Sequence, residues 1–193
     1  MTGLFFGSFN PVHLGHVALA KYLLEHTALE EVWFVVSPQN PLKQDTDLLS
    51  DSLRLQLVNL AIAEEEKMKG CDVEFSLPKP SYTIHTLEHL QKRYPQKEFT
   101  LIIGADNLAL FHRWKDYELI LAKFSLIVYP REGVDLAPLH LRYPQVQLEV
   151  GAPLYPISST QIRELIREKK DAGSWLHPLV YKAVLENRLY IES

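Results

Sequence analysis

Short apolar runs alternate with amphipathic segments along the chain. Residues 3–6 (Gly-Leu-Phe-Phe), 32–36 (Val-Trp-Phe-Val-Val) and 99–103 (Phe-Thr-Leu-Ile-Ile) are almost continuously apolar. That is the pattern of strands buried on both faces. Residues 124–129 and 146–150 are read the same way, and 72–76 alternate like a half-buried strand. Between these runs the periodicity is helical. It predicts a helix over 11–26, with Val12, Leu19, Ala20 and Leu23 inward and Pro11 in its first turn. It predicts another over 50–68, with Leu53, Leu57, Leu60 and Ala61 on one stripe and Glu64, Glu65 and Glu66 in water. Further helices are expected over 81–94 (Ile84, Leu87 and Leu90 inward), in a stretch containing Leu108, Phe111 and 116–122, and over 159–169 and 178–186. Repeated β–α alternation of this kind implies an α/β fold, a parallel sheet with helices on both faces. In such folds ligands sit beyond the carboxyl ends of the strands. The loops to inspect are therefore 7–16, 37–43, 77–83, 104–114 and 151–160.

Composition narrows the picture. A chain of 193 residues reads as one domain, 1–193, with a C-terminal helical part from about 157. Its 20 Lys and Arg against 24 Asp and Glu give a net charge of −4, which argues against a nucleic-acid binder that works through bulk charge. One cysteine excludes an internal disulfide framework, and Cys71 is expected to be inert packing at the start of a strand. No apolar run reaches the length of a membrane span, and the first residues resemble a strand rather than a signal peptide, so a soluble cytoplasmic protein is expected. None of the 8 glycines forms a G-x-G-x-x-G fingerprint, which argues against a dinucleotide-binding dehydrogenase.

Candidate chemistry concentrates in two loops. The first reads Gly7-Ser8-Phe9-Asn10-Pro11-Val12-His13-Leu14-Gly15-His16. Gly7 permits a tight turn and close approach of backbone to a ligand. Ser8 and Asn10 carry hydrogen-bonding groups. His13 and His16, three residues apart, share one face at a helix N-terminus, where exposed N–H groups and the helix dipole favour anions. The pair suits a polyphosphate; it equally suits a metal, although no third ligand lies nearby in sequence. The second loop, Ile157-Ser158-Ser159-Thr160-Gln161-Ile162-Arg163, has capping-box spacing between Ser158 and Gln161. Its hydroxyls, amides and Arg163 form either a second anion cradle or simply a well-capped surface helix.

The first loop resembles the G-x-F-x-P-x-H-x-G-H signature of the HIGH nucleotidylyltransferases, and the second is similar to their I-S-S-T-x-I-R motif. Between them, Ser81-Tyr82-Thr83-Ile84-His85-Thr86-Leu87, Gly104-Ala105-Asp106-Asn107-Leu108, Trp114-Lys115 and Tyr129-Pro130-Arg131 look like the bacterial nicotinate-nucleotide adenylyltransferases. The resemblance runs from Phe6 to Tyr190. It implies a Rossmann-like strand order and a reaction that moves the adenylyl group of ATP onto nicotinate mononucleotide, giving deamido-NAD and pyrophosphate. It also implies Mg²⁺ carried with ATP, with no dedicated protein metal site. By the same resemblance His16, His13, Lys43 and Arg163 act on the phosphates. Gly7, Ser8, Phe9, Gly104, Asp106, Ile157, Ser158, Ser159 and Thr160 line the ATP site. Asn10, Tyr82, Thr83, Asp106, Trp114 and Arg131, with Lys43, face the acceptor. Trp114 would stack on the pyridine ring, and helix-start amides beside Tyr82 and Thr83 would receive a carboxylate, the reason to prefer the acid over the amide. Trp33 and Trp175 are expected in the core or an interface.

Departures from the family pattern fall in two loops: Ser8 and Asn10 stand for the usual Thr and Asp, and Asn40-Pro41-Leu42-Lys43 stands for P-P-H-K, keeping the lysine and lacking the histidine. A related transferase for another acceptor, nicotinamide mononucleotide or a phosphopantetheine, is the alternative reading. The departures Ser8, Asn10 and Leu42 keep open a nucleotide-sensing module without turnover. Oligomeric state is not legible from the sequence.

Overall fold

A computed structural model describes residues 1–38 and 48–191. The six strands are β1 (Thr2–Gly7), β2 (Glu31–Val36), β3 (Met68–Cys71), β4 (Phe99–Gly104), β5 (Ser125–Tyr129) and β6 (Gln147–Leu148). They form one sheet in the order β3-β2-β1-β4-β5-β6, every neighbouring pair parallel. The helices are α1 (Leu14–His26), α2 (Asp51–Ala61), α3 (Thr83–Arg93), α4 (Ala105–Ala109), α5 (Tyr117–Lys123), α6 (Leu136–Arg142), α7 (Ser159–Arg167) and α8 (Pro178–Glu186).

The apolar strand runs are buried on both faces, and the register shows how. Phe5 lies opposite Phe34 and Ile102, and Ile102 opposite Ile127, a row that packs with Leu19, Leu23, Leu57, Ile162 and Val180 of α1, α2, α7 and α8. One residue earlier, Leu4 lies opposite Trp33 and Leu101, and Leu101 opposite Leu126. That row packs with Ile84, Leu87, Leu108 and Ile120 of α3, α4 and α5. Because side chains alternate along a strand, a continuous apolar run supplies both layers at once. The C-terminal helices α7 and α8 pack into the same core as β1 and β2.

Several elements differ from expectation. Residues 73–76 form a turn of 3-10 helix instead of a strand, and the strand lies earlier, at Met68–Cys71. Cys71 therefore ends a strand; it is buried. Five alternating residues fit either structure, and buried Glu74 turns inward to accept a bond from Thr86 (2.7 Å). α1 begins at Leu14, not at Pro11, which lies in a cis Asn10–Pro11 peptide ahead of the N-cap His13. α2 stops at Ala61, leaving Glu64–Glu66 beyond its end, and its buried stripe is Arg54, Leu57, Val58 and Ala61. Leu57 and Ala61 of the predicted stripe are buried as expected, while Arg54 and Val58 take the core positions expected for Leu53 and Leu60, which are half-buried. The strand expected over 146–150 is two residues long, and α6 had no counterpart in the periodicity, since Pro138 interrupts its Leu136–Leu139 spacing.

Candidate active site

The order places the crevice between β1 and β4, where successive connections leave the sheet in opposite directions and loops part to admit a ligand. The loop after β1 fills one wall. Phe9 has a left-handed backbone (φ 46°), and its buried ring lies edge-on to His16 (5.1 Å between centroids, 82°) and to Phe5 (5.6 Å, 83°). His13 and His16 are stacked, 3.7 Å between centroids. The backbone N–H of His13 donates to Nδ1 of His16 (3.1 Å). A ring nitrogen that accepts carries no proton, so the His16 proton sits on Nε2, away from the backbone.

Both imidazoles are neutral at neutral pH. Burial, followed by the Arg131 charge, lowers His13 from 6.5 to about 4. Burial, then His13, then Arg131 hold His16 well below its ordinary value. Nδ1 of His13 is buried without a protein partner among the described residues.

A cleft of about 490 Å³ opens over this pair, lined among others by Phe5, His13, His16, Arg131, Tyr155, Ile157 and Ser158. Arg131, at the exit of β5, reaches Asp106, at the exit of β4 (3.5 Å). Both side chains are half-exposed, so the pair contributes at most about 1 kcal/mol. Its use is to hold a guanidinium over the cleft. A Cβ on Gly104 would stand 2.4 Å from the Asp106 carboxylate and 3.0 Å from the Arg131 stem, so glycine lets the pair close over the strand end without moving either side chain. Gly15 plays the same part between Tyr155 and the His13 ring, where a Cβ would meet atoms at 2.9 and 3.0 Å.

The second motif behaves as a cap and as a clasp. Ser158 caps α7, its hydroxyl accepting from the Gln161 N–H while the Gln161 side chain accepts from the Ser158 N–H, the capping box that the spacing predicts. Ser159 donates to the carbonyl of Pro11 (2.9 Å), and buried Arg163 donates to the carbonyl of Asn10 (2.9 Å). Thr160 is exposed and Ile157 half-buried in the cleft wall. The two motifs are thus brought together, but Ser159 and Arg163 hold the first loop directly. Asn10, expected at the acceptor, is 1% exposed, lies outside the cleft lining, and accepts bonds from Tyr190 and Leu49.

Tyr82, Thr83 and Trp114 do not line this cleft. The segments that carry them meet each other: the Lys115 ammonium lies 4.6 Å over the Tyr82 ring, and half-buried Trp114 packs on Phe111 (5.1 Å). The indole N–H of Trp114 is buried without a partner among the described residues. Trp33 is buried in the core and Trp175 half-buried against it. Lys43 and the rest of 39–47 lie outside the described residues.

Sequence reasoning passed over Arg54 and Tyr190. Arg54 is fully buried and donates to the carbonyls of Ser8 (2.5 Å), Ser37 (2.8 Å) and Leu49 (3.0 Å) and to Asp51 (2.7 Å). It thereby fixes Ser8 and the exit of β2 to the start of α2. An arginine at a core position of an amphipathic helix was the available signal. Nothing local marks Tyr190.

No group of three or more His, Cys, Asp or Glu that could hold a metal occurs among the described residues. No helix among them is long and apolar enough to cross a membrane.

Fold and site together define a Rossmann-like nucleotidyltransferase: a parallel sheet whose switch point holds two neutral imidazoles, a helix N-terminus and a guanidinium in one cleft. Residues 4–165 match the cytidylyltransferase-like family. The "Probable nicotinate-nucleotide adenylyltransferase" of Bacteroides fragilis is 49% identical over 192 residues, covering 100% of this chain and 94% of the relative. Its counterpart in Bacteroides thetaiotaomicron is 50% identical over 185 residues, 96% and 91% of the two chains. Nicotinic acid mononucleotide adenylyltransferase of Plasmodium falciparum, solved in complex with NaAD, superposes with a TM-score of 0.81 over 98% of this chain and 96% of that one. At 19% identity that likeness speaks for the fold alone. The chain belongs to the cytidylyltransferase-like family and, within it, to the nicotinate-nucleotide adenylyltransferases.

Proposed function

We propose that this chain transfers the adenylyl group of ATP to nicotinate mononucleotide, forming deamido-NAD and pyrophosphate. The observation that carries the reading is the stacked His13–His16 pair, with the His16 proton fixed on Nε2, in a cleft at the β1/β4 switch point. Close relatedness over the whole chain supports the choice of acceptor.

In the reaction an oxygen of the acceptor phosphate attacks the α-phosphorus of ATP. The new O–P bond forms as the bond to pyrophosphate breaks, and the leaving group keeps the electron pair. The nucleophile is already an anion, so no general base is needed; catalysis is positioning and charge stabilisation. His16 Nε2–H is the donor for charge growing on the phosphates, with His13 stacked beside it. Arg131 adds positive potential, and the N-terminus of α1 and the Ile157–Ser158 segment form the remaining anion-facing walls. In this reading Asp106 accepts a ribose hydroxyl, Trp114 stacks on the pyridine ring and the helix-start amides beside Tyr82 and Thr83 receive the carboxylate, outside the cleft that the histidines line. Lys43 belongs to the same reading as a phosphate contact. Mg²⁺ would enter as part of the ATP substrate and would supply charge neutralisation there. A cytoplasmic location completes the reading.

Purified protein incubated with ATP, Mg²⁺ and nicotinate mononucleotide is expected to release pyrophosphate and the dinucleotide in equal amounts. Nicotinamide mononucleotide and phosphopantetheine are expected to react much more slowly. A folded sample that makes no pyrophosphate with any acceptor would refute the transferase, and preference for another acceptor would overturn the substrate.

A further inference from the structure

We propose that Tyr190, in the last turn of the chain, is a positioning residue for the nucleotide site, acting on the first loop through Asn10. The inference rests on the adenylyltransferase reading for its kinetic consequence, though not for its geometry. The Tyr190 hydroxyl donates to Oδ1 of Asn10 (3.0 Å), a bond buried from solvent that spans 180 residues of sequence. The same Oδ1 accepts from the Leu49 N–H (3.3 Å) ahead of α2. Arg163 of α7 donates to the Asn10 carbonyl (2.9 Å) and Ser159 to the next carbonyl, that of Pro11 (2.9 Å). The C-terminal region thus grips two consecutive residues of the loop at three acceptors.

The loop requires such a grip. Phe9, immediately before Asn10, holds a left-handed backbone that a bulky side chain adopts only where its surroundings enforce it. The Phe9 ring is also one of the supports of His16. Movement at Asn10 would therefore reach the imidazole through its packing neighbour and through His13, whose backbone N–H holds the His16 ring. Tyr190 itself is buried, and burial pushes its phenol far above the ordinary value, so it stays a hydrogen-bond donor at every working pH. An Asp at position 10 would put a carboxylate against the phenol; Asn10 provides the acceptor without a charge. This gives the substitution a structural use at a buried position.

The test is Tyr190→Phe, which removes one hydroxyl and keeps the ring, compared with Asn10→Ala and with the double variant. In the free protein, hydrogen exchange is expected to quicken at the amides of residues 8–13 and to stay unchanged in β1, β2 and β4. In turnover kcat is expected to fall roughly fivefold, the worth of one neutral hydrogen bond, with both KM values nearly unchanged, because the loop acts through His16. The double variant is expected to be no worse than Asn10→Ala alone. Unchanged exchange at 8–13, uniform acceleration through the core, or effects that add in the double variant would each overturn the proposal. Exchange is read without substrate, so a wild-type chain lacking turnover would refute the adenylyltransferase reading while leaving Tyr190 to be judged on its own.

Discussion

At the scale of the residue, His16 shows how a weak base becomes a directed donor. Phe5, Phe9 and His13 strip water from its ring, and one backbone N–H decides which nitrogen keeps the proton. On the proposed mechanism, His16→Ala should lower kcat by roughly 10²–10³-fold in a protein that remains folded, because this donor would gain strength as charge develops. Wild-type turnover in the variant would make the pair structural. Trp114→Ala carries the opposite signature: a raised KM for the pyridine nucleotide and little change for ATP. Equal damage to both constants would assign the indole to the core beside Phe111.

At the scale of the element, α2 carries an arginine where its periodicity calls for an apolar side chain. The helix starts at an ordinary cap, Ser50, whose hydroxyl accepts from the Leu53 N–H, and it packs through Leu57, Val58 and Ala61. Arg54 adds what packing alone does not: it ties the carbonyls of Ser8 and Ser37, two strand exits, to one helix. Arg54→Met would keep much of the volume and strand those acceptors in the interior. The expected cost is about 3 kcal/mol, a melting temperature lower by roughly 6–12 °C for a chain of this size. Thermal melts with and without the substitution check this, and a shift of a degree or less would show that water replaces the guanidinium.

At the scale of the whole molecule, the buried histidines make stability depend on pH. Folding lowers the His13 value from 6.5 to about 4, so between those limits the unfolded chain binds more protons than the folded one. Stability is then complete above pH 6.5 and falls as acid is added, on the order of 3 kcal/mol for His13 by pH 4, with His16 adding in the same direction. The melting temperature of the free protein should drop between pH 7 and pH 5. The slope should flatten in the His13→Gln/His16→Gln variant, and an equal slope there would place its origin elsewhere. Positive potential is also a whole-molecule matter. A chain of net charge −4 presents Arg131 and a helix N-terminus in a single cleft, which suits a polyanionic substrate without a basic coat.

Sequence by itself determined the class of fold and the place to look. Continuous apolar runs between amphipathic segments require a sheet covered on both faces, and the motifs at 7–16 and 157–163 follow strands or open helices where such sheets bind ligands. Short-range chemistry was legible as well: the Ser158–Gln161 capping box and the His13–His16 face depend only on helical spacing. Tertiary structure alone decided three further things. It set the boundaries near Pro11 and at 68–76, where five-residue patterns fit two backbones equally well. It made Ser159 and Arg163 clasps on the first loop, because their carbonyl partners lie about 150 positions away. It drew Asn10 into the interior beside Tyr190. Periodicity reports which face of an element is buried; which distant group meets a buried polar atom there is settled only when the chain closes on itself.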